Sequence, residues 1–311
     1  MVLTLWAVVF LALLAVAIAK QVQAHLNIVS DFKSDVRSRS FGMRALAEVL
    51  DFIQNDVVNS YDSFHESWAN DDKRFKDISF AGGTFSIVFE RVNPMTGAVE
   101  KGYGLTDEGG KINLNRAPVY VLSSLFNAAG MTAVQADDFA NFIVDWRDTN
   151  TVAERGGPEA CAALAAPHFC KNADFEALEE LWWMPGMTAA IYNFVRSELA
   201  LYGTGVINAN TATSLALRSL GLSSTGAERI ISWRSEPGHF FENPSAIIAL
   251  AAETGISEED RVKLGAAVAA GLVGTTSDVY RAQAEAEFKH GPRKVAEFVI
   301  DRAGKVKWWR E

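Results

Sequence analysis

Residues Val2 to Ala19 read VLTLWAVVFLALLAVAIA, a run with no charge and with Thr4 as its one polar side chain, before Lys20 supplies the first charge. An apolar run of about 20 residues can cross a bilayer core as a helix. A cleaved signal peptide competes with this reading. However, no basic segment precedes the run, no clear small-x-small site breaks it, and the helical pattern passes straight through Lys20. Val22, Leu26, Val29, Val36, Met43, Leu46, Leu50 and Ile53 then recur at spacings of three, four or seven, with Asp, Lys, Arg and Ser between them. The pattern predicts one helix of roughly 50 residues, about 75 Å long at 1.5 Å per residue, that starts in lipid and emerges amphipathic. Residues 1–20 form its transmembrane part and 21–59 its continuation. A membrane anchor leading into a dimeric coiled coil fits the same stripe, although Gly42 and the drifting period argue against long heptads.

The 311 residues, 49% apolar and 22% charged, suffice for one large domain or two modest ones with real cores. A formal charge of -9 offers no basic field to attract phosphates, so no nucleic acid partner is expected. Cys161 and Cys170 are the chain's two cysteines. Their close spacing in a loop-like segment suits a local disulfide in an oxidising compartment, with two free thiols as the alternative.

Beyond the rod, residues 60–110 read as a polar loop and the first part of a small antiparallel sheet. Thr84 to Val92 and Ala98 to Leu105 form strands around a turn at Asn93, Pro94 and Gly97. Residues 111–275 read as helical and contain an internal repeat. Ile112-Asn113-Leu114-Asn115-Arg116-Ala117 aligns with Ile207-Asn208-Ala209-Asn210-Thr211-Ala212, and Leu122 and Leu125 with Leu217 and Leu220. Each copy continues through a Gly turn to a helix ending in Trp-Arg, at Trp146-Arg147 and Trp233-Arg234. Thr or Ser after the Gly turn is the natural N-cap of that helix. Gly186-Met187-Thr188 marks a further hairpin of this kind. Residues 276–311 close the sheet with strands at Val279 to Lys289, Lys294 to Asp301 and the tail Lys305 to Arg310. The fold class is thus α+β: a long N-terminal helix on a small antiparallel sheet, with a large helix-hairpin-helix (SAM-like) insertion.

No catalytic motif is present: there is no nucleophile elbow, zinc-protease motif, phosphate loop or dinucleotide fingerprint. His25, His65, His168, His239 and His290 show no metal-ligand spacing. The chain is therefore read as a non-enzyme with no small-molecule substrate. Helix-hairpin-helix units often grip the DNA backbone through main-chain N–H groups of a hairpin with two glycines. That leaves an alternative function, a membrane-anchored DNA-binding receptor of the competence type. Here the second glycine is replaced in Gly130-Met131-Thr132, Gly186-Met187-Thr188 and Gly221-Leu222-Ser223, and the flanking helix carries Asp137, Asp138 and Asp145. Asp145, Asp148, Asn150, Glu154 and Glu159 form an acidic loop before Cys161 that offers hard oxygen ligands of the kind calcium takes. Caps and solvated carboxylates are the plainer reading.

The segments Asp107-Glu108-Gly109-Gly110-Lys111-Ile112-Asn113-Leu114-Asn115, Asp145-Trp146-Arg147-Asp148, Phe175 to Thr188 (FEALEELWWMPGMT), Ile207 to Ala212 and Lys305 to Glu311, in this order behind an uncharged N-terminal helix, resemble the minor pseudopilin K of type II secretion. The resemblance spans nearly the whole chain. It implies a pilin-like fold and an inner-membrane, single-pass protein with its large domain in the periplasm. It further implies a place at the tip of a pseudopilus, capping or initiating the filament for protein export. The implied partners are the minor pseudopilins of I and J type, met through the N-terminal helix, where Leu5, Val9, Leu13, Val16, Val22, Leu26, Val29 and Val36 are the expected packing positions. With Met1 as the mature terminus, Leu5 occupies the place where most pilin-like chains carry Glu, and the family's basic leader is expected to have been removed. The family also implies calcium in the acidic loop. Here Pro158-Glu159-Ala160 supplies one acid where family members often carry a pair.

Overall fold

The computed structural model describes every residue except 56–59, 81–82, 93–97, 155–169, 252, 254 and 289–292. Helix α1 (Val2–Gln54) is continuous through Lys20. Its described side chains are exposed from Met1 as far as Arg37. It is followed by α2 (Asp72–Phe75) and strands β1 (Ile78–Phe80), β2 (Gly83–Val92), β3 (Val99–Tyr103) and β4 (Thr106–Asp107). A run of helices comes next, flanked by two-residue strands: β5 (Ile112–Asn113), α3 (Val119–Ala128), α4 (Ala133–Arg147), a 3-10 turn at Leu178–Trp183, α5 (Ala189–Val195), β6 (Leu199–Ala200), β7 (Ile207–Asn208), α6 (Ser214–Ser219), α7 (Ser224–Ser235), α8 (Pro244–Ala251), α9 (Glu258–Ala269) and β8 (Val273–Gly274). The chain then returns as β9 (Val279–Phe288), β10 (Lys294–Asp301) and β11 (Val306–Arg310). The helical part is thus threaded between strands of one antiparallel sheet in the order β1-β2-β9-β10-β11, with β3 on β2 and β4 on β9.

Two hydrophobic clusters result. The first joins α1 to the sheet. Ala282, Ala284 and Ala286 alternate along β9 and are fully buried, and the register sets Ala284 beside Ile87 on one side and Ala296 on the other. Methyl-sized side chains on the central strand let the helix approach the sheet closely, with Phe85 and Phe298 filling the flanks. The helix answers with Phe41, Ala45, Val49 and Ile53, one row at spacing four, all buried. This corrects the sequence reading of the stripe: Met43 is 58% exposed, and Leu46 and Leu50 only flank the contact. The i+4 row that meets the alanine surface decides the docked face. Full burial of side chains the size of Phe41, Val49 and Ile53 stabilises by roughly 1.5–3 kcal/mol each. Gly42 lies under the indole of Trp309 on the edge strand β11, where a Cβ would come within 2.6 Å of the ring. The second cluster lies wholly within the helical part, from Ile112 to Val273.

Candidate functional site

The internal repeat is visible at the level of single hydrogen bonds. In the first copy Asn113 Oδ1 accepts from Asn115 N (2.9 Å), and Asn115 exchanges bonds with the Phe175 backbone, Nδ2 to its carbonyl at 3.0 Å and Oδ1 from its N–H at 2.7 Å. In the second, Asn208 Oδ1 accepts from Asn210 N (3.0 Å), and Asn210 exchanges the same bonds with Phe241 at 2.9 and 2.7 Å. The closing arginines match as well: Arg147 donates to the carbonyls of Leu114 and Ala117, Arg234 to those of Ala209 and Ala212. Each copy ends in a short parallel pair, Ile112 with Leu199 and Ile207 with Val273. The short strand at Ile112 thus pairs inside the helical part and not with the large sheet.

In the hairpins Gly130 and Gly221 adopt φ of +104° and +103°, a region open to glycine at little cost. The next residues, Met131 and Leu222, are buried. Thr132 and Ser223 then cap α4 and α7, accepting from Gln135 N and Gly226 N. Thr188 caps α5 in the same way. Gly255-Ile256-Ser257 before α9 is a further such turn that the sequence reading missed, with Gly255 at φ +70° and Ser257 as N-cap. The third-position hydroxyl is thus committed to a helix cap.

The two copies differ in what their first asparagine reaches. Asn113 Nδ2 donates to the carbonyls of Tyr202 and Gly203. Asn208, fully buried, donates to Asp62 O (2.9 Å), Ser277 Oγ (2.9 Å) and Asp107 Oδ2 (3.2 Å). Asp107 also accepts from Thr211 and Ser277, and Asp62 from Ser277 N, Tyr280 and Arg302. This polar joint fixes the second copy against the sheet. Burial pushes the Asp107 carboxyl up to about 6 against the pull of its hydroxyl donors. Burial also pushes Glu108 up, but Lys111 and Arg281 outweigh it and hold that carboxyl down at about 2.

Among the expected calcium ligands, Asp145 is buried at the end of α4 and accepts from Glu154 N (2.9 Å). Asp148 Oδ1 accepts from Asn150 N (3.2 Å), and Asn150 Oδ1 from Val152 N (2.7 Å). Glu159 lies outside the described residues. No group of three or more His, Cys, Asp or Glu side chains stands assembled for a metal among the described residues. Beside this loop, two buried oxygens among the described residues nevertheless lack a hydrogen-bond partner, Asp148 Oδ2 and Asn172 Oδ1. Asn172, whose N–H donates to Trp146 O, brings the second of these back to the end of α4 and sits at φ 51°. Hard orphan oxygens next to an acidic loop fit a calcium ion. Cys170 is disulfide-bonded, and Cys161 lies outside the described residues.

On the rod, Val2–Val29 is the one helix among the described residues long and apolar enough to cross a membrane, and none of it is buried in the fold. Leu5, Val9, Leu13, Val16, Val22, Leu26, Val29 and Val36 are all exposed.

Residues 103–204 match the family model described as type II secretion system (T2SS), protein K. A solved structure, the GspK-GspI-GspJ complex of the type 2 secretion system of enterotoxigenic Escherichia coli, contains a chain with the same fold. The match has a TM-score of 0.64 at 15% identity and covers 93% of this chain and 98% of that one. No curated protein matches by sequence. Residues 103–204, from β3 into the helical part, thus carry the sequence signature of type II secretion protein K, and the fold from the rod to the closing strands is that of the matched chain in the GspK-GspI-GspJ complex.

Proposed function

We propose that this chain is a non-enzymatic subunit at the tip of a type II secretion pseudopilus, which it caps or initiates for protein export across the outer membrane. The observation that carries the reading is the unbroken α1: one end is apolar and wholly exposed, and the other is embedded in a head much wider than a helix. Exposed apolar residues on such a rod call for lipid or for other helices. The stripe from Leu5 to Val36 serves minor pseudopilins of I and J type, the kind of subunit that accompanies the matched fold in the GspK-GspI-GspJ complex. The rod crosses the inner membrane once and leaves the head in the periplasm. The helical part, inserted between β4 and β9, widens the head so that no further subunit stacks above it. Deleting residues 111–275 and joining the sheet directly tests this. Secretion falls and filament length loses its control; normal secretion with filaments of normal length overturns the capping role.

In the same reading the acidic loop takes calcium, with Asp148 and Asn172 supplying the orphan oxygens and Asp145, Asn150, Glu154 and Glu159 completing the set. The ion would add charge neutralisation and fix the loop beside Cys170. Thermal melting with calcium and with chelator checks it: a stabilisation lost in Asp148→Ala is expected, and identical melting in both buffers refutes it.

A further inference from the structure

Between the sheet and the second repeat lies a cleft of about 540 Å³, within the usual range for binding pockets. Its apolar wall includes Phe64, Phe89, Phe194 and Ile231, and its cations are Arg91, Arg218, Arg234 and Lys111. Lys111 is committed to Glu108 at 2.7 Å. Arg91 is not held in this way: its guanidinium lies over the rings of Phe64 (4.0 Å) and Phe89 (4.5 Å). Burial lowers its pKa, and its cross-strand neighbour Glu100 offsets only part of that cost.

The duplicated architecture supplies an internal control. Arg147 and Arg234 hold equivalent places, each clamping two carbonyls of its own copy. Burial depresses both, to about 10 and about 9. Around Arg147 the charge is answered by Asp174, Glu154 and Asp148, against one opposing cation, Arg116. Around Arg234 the second guanidinium of Arg91 opposes it, and Asp107 is the acid acting on it. Asp107 already accepts from Thr211, Ser277 and Asn208 within the joint. The cleft's other acids are also engaged, Glu90 with Lys101 and Glu198 with Thr213. Two desolvated guanidinium groups, set over the same Phe64 ring at 4.0 and 5.9 Å, therefore share the cleft where the equivalent arginine of the first copy has carboxylates around it. A bound anion would remove that cost.

We infer that the cleft is a docking groove for an acidic segment of a partner polypeptide. A carboxylate side chain enters between Arg91 and Arg234, and the apolar residues beside it lie against Phe64, Phe89 and Phe194. The room exceeds what one small carboxylate fills, and the apolar lining runs from Phe89 on β2 to Phe194 on α5 and Leu215 on α6, which favours an extended chain. Recognition of acidic motifs by arginine pairs against an apolar groove is a recurring mode of peptide binding.

The test uses the full chain in non-ionic detergent micelles and a fluorescein-labelled peptide, acetyl-Leu-Asp-Phe-Asp-Leu amide, followed by fluorescence anisotropy with protein-free micelles as blank. Saturable binding is expected, weakened about tenfold or more when both Asp are replaced by Asn, and about tenfold by Arg91→Gln. Arg91→Lys, which keeps the charge, recovers part of the affinity, so a folding defect is distinguishable from a lost contact. Equal binding of the Asp and Asn peptides overturns the inference. So does wild-type affinity in Arg91→Gln. Displacement by benzoate at the concentration at which unlabelled peptide displaces overturns the polypeptide occupant.

Discussion

Replacing Asn208 by Ala tests whether the joint, rather than the repeat as such, fixes the helical part to the sheet. The change removes three donor contacts, to Asp62 O, Ser277 Oγ and Asp107 Oδ2, and the acceptor for Asn210 N, from a side chain with no solvent exposure. Neutral buried hydrogen bonds contribute about 1 kcal/mol each, and one to a carboxylate about 1.5–3 kcal/mol. Contacts sharing one side chain are not additive, so the expected loss is about 3–5 kcal/mol. Asn113→Ala is the matched control: it removes bonds to Tyr202 O and Gly203 O and the acceptor for Asn115 N, all neutral. Its cost is about 2–3 kcal/mol. The deleted atoms are the same, so cavity terms largely cancel. At 2–4 °C per kcal/mol for a large domain, the difference of about 1–2 kcal/mol makes Asn208→Ala melt about 2–8 °C below Asn113→Ala in scanning fluorimetry at pH 7. Equal melting temperatures would refute the view that the charged contact at Asp107 gives the second copy its extra hold.

Opposite pH signatures are expected from the adjacent acids. Asp107, raised to about 6 in the fold, keeps a proton that the unfolded chain has released. Its stabilising contribution is full below its ordinary pKa near 4, and about 3 kcal/mol is lost as pH rises through 6. Glu108, held at about 2, contributes a similar amount that is present above about 4.5 and lost as pH falls towards 2. Melting series on Asp107→Asn and Glu108→Gln should each remove one limb, and unchanged limbs would exclude these groups. Gly42→Ala brings a Cβ to 2.6 Å from Trp309 and should cost about 1–3 kcal/mol by overpacking, a penalty that shrinks when Trp309 is also Ala. Measured by chemical denaturation, Gly221→Ala, at φ +103°, should destabilise by about 1 kcal/mol, whereas Gly265→Ala inside α9, with nothing near its Cβ, should stabilise by about 0.5–1 kcal/mol.

The rod and the paired strands β9 and β10 were legible because period and burial agree over many residues: the hydrophobic run has no competing element, and the alanines of β9 alternate strictly. The Gly-apolar-Thr/Ser hairpins were legible through capping chemistry, which acts within four residues. What escaped has long range. Asp62, Asp107 and Asn208 are 69 to 240 positions from partners that give them meaning, and a lone Asp in a polar stretch carries no mark of burial. Met43 misled because the helix period admits neighbouring faces, and only the sheet's alanine surface chooses between them. Asn172 gives a faint signal, being of a type that tolerates positive φ. The pairing of Arg91 with Arg234 gives none, since it arises where two separately folded layers meet.

The central strand of the sheet, β9, reaches the rod only after the whole helical part has been synthesised. Tyr280 and Asp62, which bond to each other, are 218 residues apart, whereas the second hydrophobic cluster closes among residues 112–273 alone. Contacts local in sequence form first, and chains grow from the N-terminus. The inserted helices therefore assemble while the face of the rod that β9 and β10 complete is still bare, with Phe80 and Phe85 of the early strands alone against Phe41, and docking is the late, slow step. During biogenesis the vulnerable surface is that uncovered helix face, so a chaperone or an early-bound neighbouring helix would be needed there rather than on the bulky head.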